Sequence, residues 1–247
     1  MGAGSAGVYS LTAPARLSGP SAVLRRLHVS RINGRRRLRS LCSRRTDPNF
    51  DEVRVPIAAI YDDNPVPVDE GWAPRPNVEC AYASHKLEAE RLCAEAAPTA
   101  ALRICSVLGP HADPLVRRAT AGLRRLVPAA RGRRQAVQFL HEADAAAAVL
   151  AAVHSPAEGV FNVAPQDWLD EHAVATVTGG RVVRLPLGLL VRGSNVAARL
   201  RLLGFGADRA IFLNGPLALD ASRAEADLAW KAQQASAEVL SGFLSSA

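Results

Sequence analysis

Between residues 53 and 164, apolar runs of strand length alternate with stretches of helical period. That alternation restricts the fold more than any other feature of the chain. "VRVPIAAI" (53–60) has the character of a buried strand, weakened at Pro56. "DDNPVPVDEG" (62–71) is a loop rich in Pro and Asp. "SHKLEAERLCAEA" (84–96) carries apolar residues at Leu87, Leu92 and Cys93 with charges between them, the pattern of a helix. "AALRICSVLG" (100–109) reads as one strand entering a glycine turn, and "VQFL" (137–140) as a short strand. A helix over 142–153 and a strand over 159–164 follow. Strands separated by helices of this length build parallel βαβ units, which places the chain in the α/β class.

The first fifty residues differ from the rest. They hold ten arginines and one acid, Asp47, for a net charge of +9; the whole chain carries +7, so the remaining 197 residues sum to −2. With no sustained period and a run such as "RINGRRRLRSLCSRR", this segment reads as an Arg-rich, disordered extension. An organelle-targeting presequence and a polyanion-binding arm are the alternatives; the absence of interleaved aromatic residues argues against nucleic acid. No apolar run approaches the ~18 residues of a membrane-spanning helix. Cys42, Cys80, Cys93 and Cys105 show no C-x-x-C spacing, so no metal site is expected, and they read as reduced thiols of a cytoplasmic protein.

The chemistry concentrates in "AYASHK" (81–86), where Tyr82 precedes Lys86 by four residues. The chain has three tyrosines and two lysines, so a chance Tyr-x-x-x-Lys is expected only about 0.02 times. On a helix this spacing puts both residues on one face, a turn apart. Tyrosine ordinarily titrates near ~10 and is no base at neutral pH; a neighbouring ammonium favours the phenolate. A surface pair on a solvated helix face is the competing reading. His141 reads as a structural anchor at a strand-to-helix junction, and Glu142 and Asp144 as acids favoured at the helix N-terminus. Seven arginines in 117–134 include Arg117, Arg118, Arg124 and Arg125, which a continuous helix would bring to one flank. A capped helix is expected within 167–179, with Trp168 in the core.

Five segments in order resemble the extended short-chain dehydrogenase/reductase family, the NAD-dependent sugar epimerases and dehydratases: "IYDDNPVPVDEGW", "YASHKLEAE", "LRICSVLGP", "VQFLHEADAAAAV" and "GVFNVAP". The resemblance implies an incomplete Rossmann-type doubly wound parallel sheet over 51–164, with a substrate-side insertion at 110–134 and a smaller C-terminal substrate-binding region over 165–247. It implies Tyr82 as acid/base and Lys86 as its support, both touching NAD or NADP. The backbone at Cys105 would lie by the nicotinamide and Ser106 would face a nucleotide-sugar substrate.

The sequence departs from the family pattern in three places. The family's Ser or Thr four residues before Tyr61 is Ile57, which cannot hydrogen-bond a reacting hydroxyl. Gly2, Gly4 and Gly7 fit G-x-G-x-x-G, but no strand precedes them and no convincing helix follows, so the phosphate loop is judged missing. The family's Asn is Ser106. The expectation is an epimerase-like protein with its first half truncated or replaced and its activity impaired. A homo-oligomer or partner chain would cover an exposed sheet edge. A non-catalytic remnant or binding module on the same fold is the alternative, and a polyanion-binding protein acting through the Arg-rich N-terminus is another.

Overall fold

The computed structural model describes residues 10–12, 52–54, 66–75, 81–96, 98–112, 114–199 and 217–246. Four strands form the main sheet: β1 (Ser10–Thr12), β2 (Glu52–Arg54), β3 (Ala100–Ile104) and β7 (Gly159–Val163), adjacent in that order. β2, β3 and β7 are parallel, with Val53 opposite Ala100 and Leu102 opposite Phe161; β1 joins the edge antiparallel. Every residue of β3 is buried, as a parallel strand covered on both faces must be. On one face Leu102, Ile104, Phe161 and Val163 pack under α3 (Glu142–His154) and α6 (Ser222–Leu228). On the other, Arg103 meets α1 (Ala81–Ala96). This is a doubly wound α/β layer.

At Cys105 the chain leaves this sheet. The Cys105 N–H donates to Val163 O at 3.1 Å, the last rung of the β3–β7 ladder. β4 (Ser106–Leu108) then pairs with β6 (Phe139–His141). A second parallel pair joins β5 (Leu126–Ala130) to β8 (Arg181–Leu185). Around these pairs lie α2 (Pro114–Gly122), α4 (Glu171–Thr178) and α7 (Ser236–Ser245), closing a second core on Leu108, Val127, Val174, Leu240 and Phe243. α5 (Leu187–Arg199) follows β8.

Several expectations change. The apolar run 100–109 is two strands, because its residues keep one hydrophobic character while their hydrogen-bond partner switches from β7 to β6. β1 falls inside the segment read as an extension and pairs with the edge of β2. α2 ends at Gly122, so Arg124 and Arg125 leave the helical flank; Arg124 donates to Leu244 O at 2.6 Å, and Arg117 lies 5.2 Å over the Phe243 ring. Trp168 is 43% exposed and is not core. Glu142 and Asp144 do more than face a helix dipole. The Glu142 carboxylate accepts from the His111 N–H at 3.0 Å, and Asp144 accepts from the Gln233 N–H at 3.1 Å. Ile57, Tyr61, Gly2, Gly4 and Gly7 lie outside the described residues, as does the strand reading beyond Arg54.

Candidate functional site

α1 begins at Ala81, which puts Tyr82 in its first turn and Lys86 one turn later. The side chain of Tyr82 lies outside the described residues. Lys86 is 3% exposed, which excludes the solvated-face reading for this residue. Burial lowers its ammonium from the ordinary 10.5 to about 8. The inner face of α1 is otherwise built from Ala89, Glu90 and Cys93. Glu90 takes a fork from Arg103 of β3: Nε donates to Oε2 at 3.1 Å and Nη2 to Oε1 at 2.6 Å.

The carboxyl ends of parallel strands are where doubly wound sheets bind ligands. Here that end is formed by Cys105 after β3 and Ala164 after β7. Burial pushes the Cys105 thiol up, with Asp167 adding to the shift against a backbone hydrogen bond, so it stays protonated. Ser106, the first residue of β4, is exposed. The loop around Val68 lies against the same end, packed with Ala164, Leu219 and Leu87 of α1. Asn162 secures it: its Nδ2 donates to Val68 O at 3.0 Å, and its backbone N–H donates to Glu70 Oε1 at 2.6 Å. Asn162 Oδ1 is fully buried with no hydrogen-bond partner among the described residues.

Thus α1 and the β3–β4 junction bring Lys86, Cys105 and Ser106 to one end of the sheet, with Tyr82 in register one turn beyond Lys86. His141 is the N-cap of α3, its Nδ1 accepting from the Ala143 N–H at 3.2 Å. Sequence reasoning missed Glu90, Arg103, Asn162 and Glu70. A signal existed for the first two: Glu90 follows Lys86 by four residues, and an arginine within an apolar strand needs a buried acid. Among the described residues no group of three or more His, Cys, Asp or Glu could hold a metal, and no helix is long and apolar enough to cross a membrane.

No family model matches the sequence, and no curated protein does. Solved structures do match. dTDP-glucose 4,6-dehydratase from Bacillus anthracis, in complex with NAD, aligns over 84% of this chain and 64% of its own at 16% identity, with a TM-score of 0.58. UDP-glucuronic acid 4-epimerase from Bacillus cereus, also with NAD, aligns over 84% and 63% at 14% identity, with a TM-score of 0.58. UDP-N-acetylglucosamine 4-epimerase from Bacillus cereus aligns over 78% and 63% at 16% identity, with a TM-score of 0.53. The chain therefore spans less than two thirds of the length of these structures. The class is a Rossmann-type α/β fold with a second, smaller lobe. Within that class, the chain shares its fold with these epimerase and dehydratase structures.

Proposed function

We propose that this chain is an NAD(P)-dependent sugar-nucleotide epimerase/dehydratase-like protein. Tyr82 is the acid/base, Lys86 supports it, and Ile57 in place of a Ser or Thr impairs the activity. The observation that carries the reading is the burial of Lys86 one helical turn from Tyr82 at the carboxyl end of the sheet. A buried ammonium lowers the cost of forming a phenolate beside it. Below about pH 8 Lys86 holds its proton and supplies that charge. Tyr82 then takes a proton from a substrate hydroxyl and returns it.

The donor set suits the nicotinamide-ribose half of a dinucleotide: Lys86 carries N–H donors for ribose hydroxyls, and the Cys105 backbone at the end of β3 is read as the neighbour of the ring. When bound, the oxidised nicotinamide would supply a hydride acceptor. Gly2, Gly4 and Gly7 lack a preceding strand in the sequence, and weakened cofactor binding is part of this reading. Ser106 is the substrate-side contact, and a nucleotide-sugar is the substrate class.

Calorimetric titration with NAD and NADP tests the reading, with saturable binding expected. No saturation up to roughly millimolar cofactor rejects the enzyme. Where turnover of a nucleotide-sugar is found, Tyr82→Phe should lower it by at least about a hundredfold with cofactor affinity retained; an unchanged rate removes Tyr82 from the chemistry. Ile57 favours a second reading, a binding module on the same fold, and binding without turnover would select it.

A further inference from the structure

Three charged side chains lie inside the contact between α1 and the sheet. Lys86 and Arg103 are each 3% exposed, and the Glu90 side chain 9%. Among the described residues of α1, the other buried ones, Ala89 and Cys93, are small, and Leu87 packs at its edge against Val68, Ala164 and Leu219. Apolar contacts of this kind tolerate small rotations of a helix about its axis. A planar guanidinium fork resists them, since its two bonds hold only in one relative orientation. Breaking a buried ion pair by removing one partner is costly, so the two side chains hold each other in place.

The geometry ties this pair to the site. α1 connects the parallel strands β2 and β3, so it runs antiparallel to them. Moving from Glu90 back to Lys86 climbs one turn, about 6 Å. Two residues of strand, at ~3.3 Å each, cover the same rise from Arg103 to Cys105. Glu90 level with Arg103 therefore sets Lys86 level with Cys105, at the carboxyl end of the sheet. We propose that the Glu90–Arg103 pair is a positioning device: it fixes the rotation and height of α1 and thereby holds Lys86 beside the β3–β4 junction. The functional sense of this position rests on the reading of Lys86 as a site residue; the positioning does not.

The chain has two lysines, and Lys231 is exposed. Acetylation with acetic anhydride, in which the lysine amine takes the acetyl group and acetate leaves, therefore reports Lys86 by peptide mass analysis against an internal standard and needs no cofactor. Failure of NAD binding would sink the functional reading and leave this measurement intact. Glu90→Asp keeps the charge but shortens the reach, so a changed rate reports geometry. Lys86 should label at least about tenfold faster relative to Lys231 than in the unaltered chain. Val239→Ala, in the second core, should lower the melting temperature and leave Lys86 protected. Unchanged labelling in Glu90→Asp, or an equal rise in both variants, overturns the proposal. Arg103→Lys keeps the charge, removes the fork, and is read the same way if Glu90→Asp does not fold. Failure of both to fold also overturns it, because the pair would then carry the fold and not an orientation.

Discussion

An ammonium placed where only 3% of the residue is exposed works against the fold. In the unfolded chain Lys86 titrates near 10.5, and in the fold near about 8. Below pH 8 both states hold the proton, and the full cost of burying it opposes folding. Between pH 8 and 10.5 the folded state has released a proton that the unfolded state still binds, so stability rises with pH across that window. The cost at neutral pH is on the order of 3 kcal/mol. Lys86→Met keeps the length and removes the charge. It should therefore raise the urea midpoint at pH 7 by roughly that energy and abolish this residue's share of the rise above pH 8. Urea melts of both proteins across that range read the effect; a variant no more stable at pH 7 would mean that Lys86 is not strained by burial.

Single elements are held by local chemistry that the sequence displays. Asp170 caps α4, its Oδ1 accepting from the N–H groups of His172 at 2.9 Å and Ala173 at 2.7 Å. Gly179 ends the helix at φ 72°, in the left-handed region. Asp170→Ala should cost about 1 kcal/mol, read as a shift in the denaturation midpoint with unchanged slope. α3 and α4 were legible because period and caps are short-range signals. β3 and β4 were not separable, since Ile104, Ser106 and Val107 continue one run and only their distant partners, on β7 and β6, distinguish them. Trp168 misled for a related reason: a large aromatic beside an apolar stretch suggests core, but the buried neighbour is Leu169, which bridges Val137. At the site, Tyr82 and Lys86 were visible as a spacing. Glu90 and Arg103 were present in quoted motifs, but thirteen residues of chain separate the partners, and a fork across two elements leaves no local period.

Among the described residues, buried polar groups that satisfy one another join the two lobes alongside apolar contacts such as Leu140 with the main-sheet core. Residues 217–220 form a strap between them. Leu217 N–H donates to Ala136 O, Val68 N–H to Ala218 O, and Asp220 N–H to Val68 O, at 2.8–2.9 Å. Gln138, 2% exposed, closes the junction: its Nε2 donates to Pro165 O at 2.7 Å and Leu219 O at 3.1 Å, and its Oε1 accepts from the Leu219 N–H at 2.8 Å. The same strap holds Val68, whose carbonyl also receives Asn162, so the loop at the carboxyl end of the sheet is anchored to both lobes at once. Apolar packing tolerates small displacements, but a fully used buried amide does not. Gln138→Met fills the volume and strands three buried backbone groups, at a cost of about 2–5 kcal/mol. Because those groups belong to the junction and not to either core, the loss should fall on coupling. Urea unfolding followed by fluorescence and by circular dichroism should give coincident curves for the unaltered chain and separated ones for the variant. Coincident curves with an unshifted midpoint would place the joining of the lobes in their apolar contacts, and Gln138 would then be only a well-paired residue in a core that holds without it.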